Sequence, residues 1–327
     1  MNVRYNHCPQ LKIYDEIGFK WLPHLMFMNR PNYRSSVCNT DNHGMRFNSK
    51  EYLELNHLSI FDAKVEKEKS IMVGSSTTFG VGATLDEKTI PGILSKDSNF
   101  VYNFGGRAFN GFQEIILTEM MINKLENIKH ILLYSGMNDI YMYYNQIFLS
   151  TYPGPFYFHK NFLDKMENTT LNFKRKFLKF LLPDLKIDFK YSNFKQLINS
   201  IANSKNKNFE NTNFSFPNIK LEEIVERNIK IWKLLSKSMN TKISFFLPPF
   251  LPWSKNPENY TKEEKEIHAF IANSGEVKNT KYFDIIESDY NKIVSLFEVN
   301  CKKNDIKFHD CNPLFHLEEN KNKWLFV

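Results

Sequence analysis

The segment of the sequence with the clearest chemical potential is a run of hydroxyl residues between two glycines. It reads Gly-Ser-Ser-Thr-Thr-Phe-Gly at residues 74–80 and follows the apolar run Ile-Met-Val at residues 71–73. A short apolar run that ends in glycine is typical of a buried strand. If the strand passes into a helix, a serine hydroxyl lies at its carboxyl end, where helix amides can stabilise an oxyanion. The segment therefore predicts a serine-nucleophile turn, with Gly74 allowing the chain to turn closely.

Three other interpretations of this segment compete. A phosphate-binding P-loop ends in Gly-Lys-Ser/Thr, and no lysine stands where one would be needed. A dinucleotide-binding turn needs three spaced glycines and a later acid, which Gly80 and Gly82 do not supply. An ordinary Ser/Thr-rich helix cap remains open for this segment taken alone.

A second polar motif, Gly-Met-Asn-Asp at residues 136–139, follows another apolar run. The side-chain amide of Asn138 could donate a hydrogen bond to a developing oxyanion, and losing such a donor costs about two to three orders of magnitude in rate. Alone, Gly136 and Asp139 would mark only a turn and a helix cap. A strand–glycine–serine motif followed by a strand–Gly-x-Asn motif favours an acyl-transfer site.

The elements that must position these motifs follow from alternating sequence patterns. Short apolar runs alternate with stretches of helical periodicity, and a parallel sheet with helices on both faces gives this alternation. We predict a three-layer α/β/α sandwich around a parallel, flavodoxin-like five-stranded sheet, whose active site lies beyond the carboxyl ends of the strands. The predicted strands are residues 70–73, 100–104, 130–134, 242–247 and 306–308, and the predicted helices are residues 113–125, 221–239 and 290–303.

Two regions interrupt this pattern. Residues 1–69 predict an N-terminal extension packed on a main domain of residues 70–327. Residues 145–218 predict an insertion rich in Phe, Lys and Asn. Within it, the basic amphipathic piece at residues 173–182 could contact a membrane surface, form a lid, or pack as a cap helix on the main domain.

Composition excludes several classes of function. The formal net charge of +7 is spread over lysines scattered among glutamates, so we expect no nucleic-acid partner. The four cysteines lack zinc spacing, and the histidines form no metal pair, so we predict no metal and no cofactor. We find no apolar run of about 18 residues. Without a signal peptide in this chain, we expect a cytoplasmic location.

The motifs together resemble the SGNH/GDSL hydrolase superfamily. Its first block, Gly-Asp-Ser-x-Thr-x-Gly, is similar to residues 74–80, which implies that Ser76 is the nucleophile and that Ser75 replaces the usual acid. Its second block resembles residues 103–110 and implies that the backbone N–H of Ala108 belongs to the oxyanion hole. The third block implies the same for Asn138. Residues 39–46 resemble a prelude of some bacterial members, and residues 246–250 resemble a loop that borders the substrate pocket.

The fourth block of the superfamily, Asp-x-x-His, supplies the catalytic base. No such spacing occurs after residue 300, since Asp310 and His316 are separated too widely and His309 adjoins Asp310. We expect that the sequence stops short of its acid–base pair. A non-catalytic homologue and a base supplied by His309 or His316 remain open.

The resemblance implies a serine hydrolase that cleaves an acyl or acetyl ester. The ester would belong to a small molecule or a glycan, such as a carbohydrate or lipid ester. The N–H groups of Ser76 and Ala108 and the amide of Asn138 would form the oxyanion hole, supported by Gly74, Gly136 and Asp139. The alternatives are an inactive SGNH-like domain that binds a glycan or a protein, and a flavodoxin-like nucleotide binder. Hydrolysis and acyl transfer are equally open.

Overall fold

The computed structural model describes most of the chain in several ranges. These are residues 3–49, 54, 56–62, 67–95, 99–144, 157–158, 161–162, 165, 220–273, 286–320 and 323–324. The chain divides into two compact units, one of residues 1–157 with 219–327 and the other of residues 158–218. Few residues of the second unit are described. The basic segment 173–182, with its proposed lid or membrane contact, lies outside the described residues.

The N-terminal segment of the first unit, residues 3–49, carries two short helices and a hairpin. Helices α1 (Val3–His7) and α2 (Leu11–Glu16) precede strands β1 (Phe19–Leu22) and β2 (Met26–Asn29), which pair antiparallel. The segment is anchored by a cluster of buried side chains that includes Leu11, Tyr14 and Ile17 and also takes in Phe79 of the main domain. Contact with Phe79 brings the N-terminal segment next to the predicted nucleophile turn.

The main domain is built on a five-stranded parallel sheet. Its strands are β3 (Glu68–Gly74), β4 (Asn99–Gly105), β5 (Ile128–Tyr134), β6 (Lys242–Leu247) and β7 (Lys307–Asp310). They lie in the order β4-β3-β5-β6-β7, and every neighbouring pair is parallel. This is the flavodoxin-like order. The predicted fold class is therefore confirmed, with β7 beginning one residue later than expected from the sequence.

Helices pack on this sheet and complete the three layers. They are α3 (Ser76–Phe79), α4 (Ile90–Leu94), α5 (Gly111–Met120), α6 (Met137–Tyr144), α7 (Leu221–Ser238), α8 (Leu251–Ser254), α9 (Lys262–Ala272) and α10 (Tyr290–Lys303). Helix α5 begins two residues before the predicted start because Asn110 and Gln113 form a reciprocal capping box. Helix α7 buries one apolar face that includes Ile229 and Trp232, as its periodicity predicts.

The sheet core is made by consecutive apolar residues, because parallel strands are covered on both faces. Ile71, Met72 and Val73 follow one another on β3, and Val101 and Tyr102 follow one another on β4; all five are at most 4% exposed. Each such side chain contributes about 1.5–3 kcal/mol when it is removed from water. No helix in the described part of the chain is long and apolar enough to cross a bilayer.

The strand ends align at one edge of the sheet. Gly74 lies in register with Gly105 on one side and with Tyr134 on the other. Tyr134 is in register with Phe246. The segments that follow these residues carry all three sequence motifs, so the fold brings the motifs to the same edge.

Candidate active site

The predicted nucleophile turn lies between β3 and α3. Ser76 is the first residue of α3, and Gly80 ends the helix in the left-handed conformation, with φ of 86°. A Cβ at Gly74 would lie 2.2 Å from the carbonyl oxygen of Tyr134 and 2.3 Å from Thr78 Oγ1. Only glycine allows β3 to approach β5 and α3 this closely. Ser76 is half-buried, and the described residues include no hydrogen-bond partner for its Oγ.

The loop after β4 is hydrogen bonded to this turn. The N–H of Gly106 donates to the carbonyl of Gly74 at 3.0 Å. A Cβ at Gly105 would lie 2.1 Å from the backbone nitrogen of Phe79, so the loop lies directly against α3. The loop after β4 thus touches the predicted nucleophile turn through backbone contacts that leave no room for a side chain at Gly105.

Ala108, the second predicted oxyanion donor, adopts a left-handed conformation with φ of 62°. The resemblance places glycine at this position, and alanine disfavours positive φ because its Cβ crowds the backbone. The structure nevertheless holds Ala108 in the backbone conformation that glycine would adopt there. Its N–H makes no backbone hydrogen bond to the described residues. The amide is therefore available to a ligand.

Asn138 lies in the first turn of α6 and contacts the same loop. Its Nδ2 donates to the carbonyl of Phe109 at 2.6 Å, which leaves one amide hydrogen unused by this bond. Gly136 precedes the helix with φ of 104°, and a Cβ there would lie 2.9 Å from the ring of Phe297. A positive φ and a crowded position both require glycine here, which accounts for the Gly-x-Asn spacing.

Asp139, predicted to support the site, is buried at the start of α6. Its Oδ2 accepts a hydrogen bond from the N–H of Gly111 at 3.0 Å, which ties the start of α6 to the start of α5. Burial raises the pKa of Asp139 to about 6. The neighbouring Glu114 accepts a hydrogen bond from Ser135, and burial raises its pKa well above the usual value. Asp139 therefore joins the starts of α5 and α6, and it is not among the residues that line the pocket over Ser76.

An open pocket of about 230 Å³ lies over the nucleophile turn. The rings of Tyr141 and Tyr157 stack in its wall, with centroids 5.5 Å apart. The described lining has no charged side chain and consists of Ser75, Ser76, Thr77, Met137, Asn138, Tyr141, Tyr157, Pro248, Pro249 and Phe250. The last three belong to the loop that the resemblance assigned to the pocket border. The pocket thus suits a neutral group with apolar or ring surfaces.

His309 and His316, considered for a base, and Asp310, considered for the acid of the pair, have other partners. The ring of His309 stacks on Phe246 at 4.7 Å, and burial lowers its pKa. Asp310 accepts hydrogen bonds from the hydroxyl of Tyr290 and from Asn312 Nδ2. His316 Nε2 lies 3.1 Å from the carbonyl oxygen of Trp253. Within the described ranges, none of the three is hydrogen bonded to Ser76.

A buried arginine that the sequence motifs do not assign to the site fixes the far end of α3. Arg46 is fully buried and pairs with Asp86, its Nε lying 2.8 Å from Oδ1. The same guanidinium donates to the carbonyls of Phe79, Gly80 and Val37 and to the hydroxyl of Tyr14. The only sequence signal was the prelude resemblance at residues 39–46, which ends on this arginine.

Among the described residues, no group of three or more His, Cys, Asp or Glu side chains is placed to hold a metal ion. All four cysteines are free thiols. The site as described offers a hydroxyl and several N–H donors. Such a set suits acyl transfer through a tetrahedral oxyanion.

No protein-family model and no curated protein matches the sequence. Several solved structures do resemble the chain. An acylhydrolase candidate from Bacteroides fragilis is 11% identical, with 83% of this chain and 80% of that chain covered, at a TM-score of 0.36. A GDSL-like lipase from Bacteroides thetaiotaomicron is 15% identical, with coverage of 83% and 82% and a TM-score of 0.33.

An extracellular lipase from Streptomyces rimosus is 9% identical, with 79% of this chain and 92% of that chain covered, at a TM-score of 0.35. The similar structures therefore include a GDSL-like lipase, the class that the sequence motifs resemble. Identities and TM-scores this low carry no functional argument, so the function has to be argued from the site itself.

Proposed function

We propose that this chain is a serine ester hydrolase of the SGNH/GDSL type that acts on an acyl or acetyl ester. Ser76 is the nucleophile, and the N–H groups of Ser76 and Ala108 and the side chain of Asn138 form the oxyanion hole. The observation that carries the proposal is the set of hydrogen bonds joining three separate segments at one edge of the sheet. Gly106 N–H donates to Gly74 at 3.0 Å, and Asn138 donates to Phe109 at 2.6 Å.

The proposed reaction assigns each group a role. Ser76 Oγ bonds to the ester carbonyl carbon, and the carbonyl electron pair moves to oxygen, which becomes the oxyanion. The donors from Ser76, Ala108 and Asn138 stabilise this charge, and each is worth about two to three orders of magnitude in rate. The proton of Ser76 Oγ passes to a base as its bond to the carbonyl carbon forms, and collapse then breaks the bond to the alcohol, which departs with a proton from that base. Water then hydrolyses the acyl-serine.

Acylation of Ser76 and hydrolysis of the acyl-serine both need a base to accept a proton. A positioned base raises the reaction rate about 10²–10⁴-fold. The described residues offer none to Ser76 Oγ, so we expect residues 1–327 to hydrolyse esters slowly. The neutral, ring-lined pocket supports an uncharged acyl or sugar group on the substrate. The expected slow reaction and the uncharged pocket determine how the proposal is tested.

The test is covalent labelling with a fluorophosphonate probe, followed by mass spectrometry of the labelled peptide. We expect slow labelling at Ser76 that Ser76→Ala abolishes. Ser75→Ala is the matched control, because Ser75 lines the same pocket one residue away. Added imidazole should accelerate labelling of the parent by supplying the base. Labelling that survives Ser76→Ala, or no labelling with or without imidazole, would refute the proposal.

A catalytically inactive, glycan-binding domain is the second candidate. It is favoured by the hydroxyl of Ser76, which has no hydrogen-bond partner among the described residues, and by the stacked pair of Tyr141 and Tyr157. Aromatic faces suit sugar rings. Absence of labelling together with saturable binding of a neutral oligosaccharide, lost in Tyr141→Ala, would support this candidate. Labelling at Ser76 would exclude it.

A further inference from the structure

The loop that carries Ala108 is held by one buried asparagine from the N-terminal segment. Asn29 is the last residue of β2 and has no exposed surface. Its Nδ2 donates to the carbonyl of Gly105 at 3.2 Å and to the carbonyl of Gly44 at 3.3 Å. Its Oδ1 accepts from the backbone N–H of Arg107 at 3.2 Å and from Arg107 Nε at 3.3 Å. All four hydrogen-bonding positions of the amide are therefore used.

The contacts of Asn29 bracket the oxyanion loop, the segment of residues 105–109 that carries Ala108. The carbonyl of Gly105 and the N–H of Arg107 lie on either side of Gly106, the residue that bonds to the nucleophile turn. Fixing both peptide groups restricts the rotations available to the chain immediately before Ala108. The same asparagine also binds the carbonyl of Gly44. Its side chain therefore joins the β1–β2 hairpin, the segment of residues 39–46 and the loop that carries Ala108.

Arg107 reaches back across this contact into the N-terminal segment. Its guanidinium donates to the carbonyls of Tyr14 and Gly18 and lies over the ring of Phe19, 4.4 Å from the centroid. The side chain is only 8% exposed. Among the described residues no carboxylate forms a salt bridge with it.

A buried guanidinium without an ion-pair partner is a costly arrangement, since its charge must be satisfied by neutral carbonyls. Burial lowers the pKa of Arg107 to about 10. A simple surface turn would not need such a residue. Arg107 directly precedes Ala108 in the chain. A non-glycine residue such as Ala108 keeps a left-handed conformation only where its surroundings impose it, and the contacts of Arg107 are part of those surroundings.

We propose that Asn29 and Arg107 are positioning residues of the oxyanion hole, which lock the loop so that Ala108 keeps its left-handed backbone and its N–H stays aimed at the substrate oxygen. The inference rests on the proposed function for the meaning of that N–H. It extends that function by making residues 14–29 of the N-terminal segment part of the catalytic apparatus.

The first arm of the test reads the backbone of Ala108 without any catalysis. Alanine is scarce in the sequence, so alanine-selective ¹⁵N labelling gives a simple spectrum in which Ala108→Gly assigns the Ala108 signal. Arg107→Lys keeps the charge but loses the planar set of donors. Asn29→Asp keeps the acceptor and loses both donors. We expect both variants to shift the Ala108 signal and its HN–Hα coupling away from the value for positive φ.

The second arm measures the rate of fluorophosphonate labelling at Ser76 in the folded fraction of each variant. We expect a fall of about tenfold or more, below the full loss of one oxyanion donor. Arg34→Lys is the matched control. Arg34 is an exposed arginine of the same segment, and it donates to the carbonyls of Tyr33 and Thr40 without touching the loop. It should change neither readout.

Each result of the two arms either supports or contradicts the positioning role of Asn29 and Arg107. An unchanged Ala108 signal in folded Arg107→Lys and Asn29→Asp overturns the inference, as does a shifted signal with an unchanged labelling rate. A parent protein that is never labelled refutes the ester-hydrolase proposal instead, and then only the NMR arm bears on whether the two residues set the Ala108 backbone. Because Asn29→Asp is nearly isosteric, the test does not depend on Arg107→Lys folding.

Discussion

Replacing Ala108 by glycine should stabilise the protein, although glycine usually does the opposite. Ala108 holds φ of 62°, and the left-handed region costs an L-residue about 1–2 kcal/mol. Glycine adopts this conformation freely but gains freedom in the unfolded chain, which offsets about 0.4–1 kcal/mol. The difference predicts a rise of about 0.5–1 kcal/mol in the free energy of unfolding for Ala108→Gly.

Urea denaturation of Ala108→Gly and Ala269→Gly checks this sign. Ala269 is exposed within α9, where glycine should lower the free energy of unfolding by about 1 kcal/mol. The rate of Ser76 labelling should be retained in Ala108→Gly, because the N–H remains. If both substitutions destabilise the protein equally, Ala108 is not held in a left-handed backbone and the argument for a constrained oxyanion loop fails.

Three further substitutions follow from buried contacts. Gly74→Ala should lower the free energy of unfolding in urea by about 3 kcal/mol or more, because its Cβ would lie 2.2 Å from the carbonyl oxygen of Tyr134. Asp86→Asn should cost about 3–5 kcal/mol in the same assay, since it leaves the charge of Arg46 buried without its partner. Asp139→Asn should flatten the fall in stability between about pH 4 and pH 6, seen when urea unfolding is repeated across this range.

The pH effect has a definite sign. Burial raises the pKa of Asp139 to about 6, while an unfolded aspartate titrates near about 4. The folded state therefore keeps its proton over a range in which the unfolded state releases it. The resulting stability is fully present below about pH 4 and is lost as pH rises through 6, a change of about 3 kcal/mol. An Asp139→Asn variant whose stability changes with pH as the parent's does would contradict the raised pKa of Asp139.

A matched control distinguishes the loss of a buried carboxylate from the loss of a carboxylate at the surface. Asp15→Asn removes a surface acid that pairs with Arg4 at 3.2 Å, and it should cost less than about 1 kcal/mol. A cost for Asp86→Asn no larger than this would contradict the buried pairing of Arg46. For Gly74, full stability of the alanine variant would contradict the close approach of β3 and β5.

Most of the fold could be predicted because the residues of each helix or strand, and those directly beside it, indicate the element. The predicted helix 290–303 and strand 242–247 agree with the observed bounds of α10 and β6. Helix α10 lies between Asp289 and Asn304, and strand β6 lies between Thr241 and Pro248, so residues typical of caps and turns mark both ends of each element. The start of α5 was placed too late, since the periodic apolar residues begin inside the helix while the capping box at Asn110 sets its first turn.

The supporting contacts of the candidate site could not be predicted in the same way. Arg46, Arg107 and Asn29 act mainly on backbone carbonyls and N–H groups, which every residue carries. No side-chain pattern along the sequence marks such a partner. The distances in sequence are also long, with Asn29 and Arg107 separated by 78 residues. Their pairing follows from the packing of the N-terminal segment on the main domain, which local periodicity does not encode.

Ala108 shows why the motif and its support have to be considered together. Local preference argues against alanine in a left-handed conformation, so the segment at residues 105–109 would relax if it were isolated. Tertiary contacts on both sides override this preference, and departures from local preference are concentrated where function needs a fixed backbone. A glycine would have needed less support. The alanine therefore makes the oxyanion loop dependent on Asn29 and Arg107, and it ties the proposed activity to an N-terminal segment that the motifs alone would leave outside the site.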